Sequence, residues 1–238
     1  MQLIDGLKRQ LHRDIAADPR THGWVLNLYL NGERYPQTVC DYFQAEYAPT
    51  SELAEQIRLH EKDEHKHELL LGKAIRSLEQ EVIELPRIDI FNVVIRMFTP
   101  GTFHITPDDA EEARRDKLAN FMAHCHFLEK RVARSLEYQS DASTNALHPM
   151  VGKAVNAVLS DESRHVSYTV EAVKDLLTRK RAEEVLDAHR RAETKANVRF
   201  SHMQMRNFLA NFARAVPKRR RVVYRVCGAL MEGADRLL

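Results

Sequence analysis

Apolar residues recur at alternating spacings of three and four along most of this chain, the period of a helix that buries one face. The pattern is clearest over 51–80, where Leu53, Ile57, His60, Glu64, His67, Leu71, Ala74 and Leu78 form one stripe. A matching stripe over 149–178 reads Val151, Val155, Val158, Glu162, His165, Thr169, Ala172 and Leu176. Residues 108–139 carry Leu118, Met122, Cys125, Glu129, Val132 and Leu136. Over 22–47 the stripe is Leu26, Tyr29, Glu33, Cys40, Phe43 and Tyr47, and Gly32 and Pro36 predict a kink near Glu33. Further helices are expected over 2–17, ending before Asp18-Pro19, and over 181–214 and 218–236, separated at Pro217.

The breaks between these stripes set the order. Ala48-Pro49-Thr50-Ser51 is a turn, residues 140–147 are a polar turn, and Asp108-Asp109 put negative charge at the start of a helix. Residues 81–107 hold Pro86, Pro100, Gly101 and Pro107 around an apolar stretch from Ile88 to Phe98, which reads as a long crossover containing a short helix. The expectation is an all-α fold of two helical hairpins joined by that crossover. It forms a single domain over 1–238, with a bundle core of about 22–178 and a C-terminal helical extension of about 179–238.

Four carboxylates, Glu33, Glu64, Glu129 and Glu162, interrupt the apolar stripes. Buried ionised carboxylates are costly unless paired, hydrogen-bonded or bound to metal. Two of them belong to a repeated motif, Asp63-Glu64-His65-Lys66-His67 and Asp161-Glu162-Ser163-Arg164-His165. Each reads D-E-x-x-H. Glu and His three residues apart share one helix face, at a spacing that lets both bind one metal centre. The chain has only these two Asp-Glu dipeptides, and both are followed by His at the same offset. Glu33 and Glu129 stand at similar distances upstream of the two motifs, about the length a helical hairpin needs to return to the same height. The bland reading of the two motifs is a pair of solvated charged helix faces.

Composition narrows the class without naming a chemistry. Charged residues make up 29% and hydrophobic residues 44%, as in ordinary globular proteins, and the net charge of +2 says little about partners. Cys40, Cys125 and Cys227 are far apart and include no C-x-x-C, so no zinc ribbon, rubredoxin-type site or disulfide framework is expected. With no apolar leader or transmembrane run in the sequence, a cytoplasmic location is the expectation.

The four carboxylates and two D-E-x-x-H motifs resemble the ferritin-like diiron-carboxylate superfamily, over about residues 22–178. The resemblance implies a four-helix bundle with a long crossover. It also implies a dinuclear site ligated by Glu33, Glu64, His67, Glu129, Glu162 and His165. Asp63 and Asp161 would accept hydrogen bonds from the ligand imidazoles, and Arg164 would help neutralise them. The four carboxylate charges balance two divalent ions, two irons first and a manganese–iron pair second. His60, one turn before Glu64, is read as a hydrogen-bonded core residue, with an additional ligand as the alternative. Tyr29 is a hydrogen bonder beside the ligands or a packing residue. Cys125 and His126 are candidate substrate-pocket residues, and His124 is expected to be exposed.

The activity this implies is a non-haem diiron oxygenase or oxidase using O2 and an electron donor on a small organic substrate, with the extra C-terminal helices as the cover of its pocket. Ferroxidase, peroxidase or iron storage is the alternative within the superfamily. A non-enzymatic helical interaction protein with a basic C-terminus is the alternative outside it. No nucleic-acid partner is expected, and a homodimer stays open. The run Lys218-Arg219-Arg220-Arg221, with Arg214 and Arg225, is read as a solvated helix end in preference to a peripheral membrane contact.

Overall fold

The computed structural model describes residues 2–38, 43–84, 103–144 and 148–237, and every regular element among them is helical. In chain order these are α1 (Gln2–Ala16), α2 (Pro19–Thr38), α3 (Ser51–Ser77), α4 (Glu111–Thr144), α5 (Pro149–Leu176), α6 (Arg179–Phe212) and α7 (Lys218–Arg236), with short 3-10 turns at Ala45–Tyr47 and Ala213–Ala215. Cys40 and the apolar stretch from Ile88 to Phe98 lie outside the described residues.

Several helix boundaries follow from local chemistry. Helix α1 ends before Asp18-Pro19 as expected, and α2 starts at Pro19 rather than near residue 22, because the Asp18 carboxylate accepts from the Arg20 N–H at 2.9 Å and Pro19 needs no donor partner in a first turn. Helix α2 continues through Gly32 and Pro36. Thr50 caps α3 by accepting from the Leu53 N–H. Helix α3 stops at Ser77, short of the expected residue 80, because Glu79 turns into the left-handed region with φ 57°. Asp109 does not open α4. Its carboxylate accepts from the Thr106 N–H and pairs with Lys117. The polar turn expected at 140–147 is helical as far as Thr144, since Ser140 bonds across to Asn156 and Gln139 and Ser143 are buried.

Helices α2 and α3 are antiparallel, as are α4 and α5, and α3 is antiparallel to α5. The contact pairs Gly23–Gln80 with Arg34–Glu68, His126–Val166 with Ser140–Asn156, and His60–Tyr168 with His67–Asp161 fix these directions. Helix α3 is therefore parallel to α4. The connection 78–110 begins at one end of α3 and finishes beside the other, a distance of about 40 Å for 27 residues at ~1.5 Å each. Buried amides hold both of its ends. Asn27 donates to the Glu81 carbonyl and accepts from the Ile83 N–H, while Asn31 donates to the Ile83 carbonyl. Gln44 does the same at the far end, bonding both the N–H and the carbonyl of Ile105.

The remaining helices form an outer layer. Helix α1 lies on α4 through the buried His12–Gln139 hydrogen bond. Helix α6 packs along the outer side of α4, where Arg131 pairs with Glu193 and stacks over Phe200, and His189 meets Asn120. Helix α7 closes on α1 and α6. Tyr224 donates to Asp14 at 2.6 Å, and Asp235 receives Arg199 and His202. No helix among the described residues is long and apolar enough to cross a membrane.

Candidate metal centre

Helices α2 to α5 carry their interrupting carboxylates to one level. All six residues expected as ligands are buried there: Glu33, Glu64, His67, Glu129, Glu162 and His165. Their donor atoms form overlapping groups. Glu33, Glu64, His67 and Glu162 make one, Glu129, Glu162 and His165 a second, and His60, Glu64 and His165 a third. Glu64 and Glu162 each belong to more than one group, so two ions side by side can share them.

Both motif imidazoles, His67 and His165, face the cluster through Nδ1. His67 Nδ1 is 3.1 Å from Glu33 and 3.6 Å from Glu162. His165 Nδ1 is 3.1 Å from Glu162 and 3.7 Å from Glu64. The opposite nitrogens meet the motif aspartates, and the pairing is crossed. His67 Nε2 donates to Asp161 at 3.1 Å, while His165 Nε2 lies 3.6 Å from Asp63. Arg164 pairs with Asp63 as expected, and Lys66 pairs with Asp161 at 2.5 Å. Lys66 was not singled out by sequence. It stands at the motif position equivalent to Arg164, and the repeat alone marks it.

Burial and mutual proximity perturb the acid–base groups of the cluster. Burial and the surrounding carboxylates push Glu64 and Glu162 well above the usual carboxylate range. Burial works to lower His67, but Glu33, Glu64 and Asp161 outweigh it and push its pKa up to about 9. Burial, then His60 and His67, hold His165 far below its ordinary value, leaving it neutral. For Asp161, burial is outweighed by hydrogen bonds from Lys66 and His67, which keep its pKa low.

His60 is a buried, hydrogen-bonded core residue whose second nitrogen faces the cluster. Its Nδ1 is 2.7 Å from the Tyr168 hydroxyl, and its Nε2 points inward, 3.2 Å from Glu64 and 3.7 Å from Glu129. Glu64 Oε1, Glu162 Oε1 and His60 Nε2 are buried without hydrogen-bond partners. Convergent orphaned carboxylate and imidazole atoms are the donors that a hard or borderline divalent ion requires.

A cavity of about 30 Å³ adjoins the cluster, lined by Tyr29, Gly32, Glu33, Glu64, Leu128, Glu129 and Val132. The Tyr29 hydroxyl is buried beside it with no hydrogen-bond partner of normal geometry. Cys125 and His126 do not line this cavity. Cys125 lies in the apolar cluster around Phe121 and Met122, and His126 donates to the Val166 carbonyl. His124 is buried, not exposed, because it packs between Phe103 and His189 under α6. Tyr168 was missed by sequence, since only the fold sets it against a histidine 108 residues away.

Comparison of the chain with protein-family models, with curated proteins and with solved structures found no match.

Proposed function

We propose that this chain is a dinuclear non-haem metal oxidoreductase of ferritin-like architecture, holding two iron ions and using O2 on a small organic substrate. The observation that carries the reading is the sharing of Glu64 and Glu162 between overlapping donor groups. Glu33 and His67 would complete one ion's ligands, and Glu129 and His165 the other's, with His60 available beside them. The parallel course of α3 and α4, with its long connection, is the arrangement that such an architecture requires.

When bound, two iron ions supply redox-active Lewis-acid centres for reduction of O2. The chain's own residues prepare the place. Asp161 fixes the His67 tautomer, Lys66 balances Asp161, and Arg164 balances Asp63. In the metal-free state His67 donates from both ring nitrogens, so metal binding displaces a proton from Nδ1. Leu128 and Val132 give the adjoining cavity an apolar side, and the buried Tyr29 hydroxyl stands beside it near Ser135.

The size of that cavity favours a second reading. Among the described residues, this space of about 30 Å³ matches a water or a diatomic molecule. A ferroxidase or peroxidase, whose only partners are iron and an oxygen species, needs nothing larger.

Anaerobic titration of the purified full chain with Fe(II) tests the shared premise. About two irons per chain are expected, and Glu64→Ala should lose at least one while helix content is retained. Binding of no iron, or of a single ion unaffected by Glu64→Ala, would refute the dinuclear centre. Exposure of the loaded protein to O2 with excess Fe(II) then separates the readings: an oxygenase stops at its bound ions, whereas an iron-handling protein keeps oxidising added iron.

A further inference from the structure

Helix α7 buries one face and leaves a second apolar face in water. Tyr224 and Asp235 point inward to α1 and α6. On the opposite side Val222 is 59% exposed, Val226 54% and Leu230 69%. These three stand four residues apart. At about 100° per residue they share one narrow arc, and Val223 falls at its edge. This is a continuous seam along the helix, not scattered exposure.

The seam is bordered by exposed cations. Lys218, Arg219 and Arg225 on α7, and Arg214 just before it, are exposed and have no acidic partner among the described residues. Arg219 lies within the apolar arc itself, and Lys218 and Arg225 flank it. The acids of the same helix are already engaged. Glu232 pairs with Arg236, and Asp235 receives Arg199 and His202. A second copy of α7 laid on this face would therefore offer the cations no counter-charge.

We infer that the outward face of α7 docks on an anionic lipid surface. The reason is the combination, in one plane, of aliphatic side chains and unpaired basic ones. Lipid headgroups supply negative charge and the acyl boundary receives Val222, Val226 and Leu230. A nucleic acid would use the cations but has no place for a valine and leucine seam. The helix lies along the surface, held to the protein by its inner face, and its contact is independent of the metal centre.

Sedimentation of the full-length protein with vesicles tests the inference, using phosphatidylcholine alone and phosphatidylcholine mixed with phosphatidylglycerol. Binding to the mixed vesicles and not to the neutral ones is expected, weakening as salt is raised. Arg219→Gln/Arg225→Gln should lower the partition coefficient about thirtyfold, from the contribution of each cation near an anionic surface. Val226→Asp/Leu230→Asp should lower it at least about tenfold while leaving the circular dichroism spectrum and iron stoichiometry unchanged. The inference is overturned by absence of binding to the mixed vesicles, or by equal binding to neutral ones. It is overturned equally by a doubled solution mass that Val226→Asp/Leu230→Asp abolishes, which would assign the face to a second copy.

Discussion

His60 lies face to face with His165, their ring centroids 3.7 Å apart, and both rings present a nitrogen to the same Glu64 oxygen. Two imidazolium charges stacked this closely would repel each other. Burial and His60 itself keep His165 neutral, so its Nδ1 lone pair is available. If Nδ1–H of His60 donates to the Tyr168 oxygen, its Nε2 lone pair faces the same place.

His60 should accordingly act as a metal ligand. In the Co(II)-substituted protein, His60→Ala is expected to shift the visible ligand-field bands, and Tyr168→Phe to shift them less. Spectra identical to those of the unaltered protein would make His60 a purely structural partner of Tyr168.

The crossed pairing of the motifs predicts that each aspartate governs the histidine of the other helix. Asp161→Asn should weaken metal binding about 10- to 100-fold, through loss of the carboxylate that orients His67. Chelator competition measures this directly. Lys66→Met should weaken binding less, because it acts on Asp161 and not on the imidazole. An affinity unchanged by Asp161→Asn would mean that His67 is held by packing alone.

Without metal, the carboxylates of the cluster make stability depend on pH. The pKa values of Glu64 and Glu162 are raised on folding, so the folded state binds more protons than the unfolded one as pH rises above 4.5. Stability from these groups is full below that value and is lost as pH rises. His67, raised to about 9, acts in the same direction above its ordinary 6.5. The buried His12, His22, His124 and His189 oppose this at acid pH. Burial lowers them to about 4, 4, 3 and 4, so their contribution is present above 6.5 and lost as pH falls. The metal-free Glu64→Gln/Glu162→Gln variant should therefore gain over the unaltered chain as pH rises from 5 to 8 in denaturant titrations. A difference independent of pH would show that these carboxyls are not strained by burial.

Glu79 adopts a left-handed backbone at the end of α3, with φ 57°. Such a conformation disfavours a residue with a Cβ, and the carbonyls of Ile75 and Arg76 depend on it for their closing bonds. Glu79→Gly should stabilise the protein by about 0.5–1 kcal/mol, seen as a higher midpoint of thermal unfolding. A lower midpoint would mean that the Glu79 side chain contributes more than its backbone costs.

The sequence by itself determined the helices and the six expected cluster residues. The helical period decides which side chains share a face, and a buried carboxylate in an apolar stripe is conspicuous because it is expensive. Glu64, His67, Glu162 and His165 were legible for that reason, and the hairpin length sufficed to bring Glu33 and Glu129 to their level. Helix ends were less legible. Glu79 and Asp18 stop and start helices through local hydrogen bonds that periodicity does not encode.

The tertiary structure alone decided which histidine meets which aspartate, since a helical face fixes a direction but not a neighbour. The same holds for Tyr168 against His60, for the burial of His124 beneath α6, and for Asn27, Asn31 and Gln44 holding the ends of the connection. It also decided that Tyr224 turns inward while Val222, Val226 and Leu230 turn out. An amphipathic pattern with apolar residues on two sides does not say which side the rest of the chain will cover.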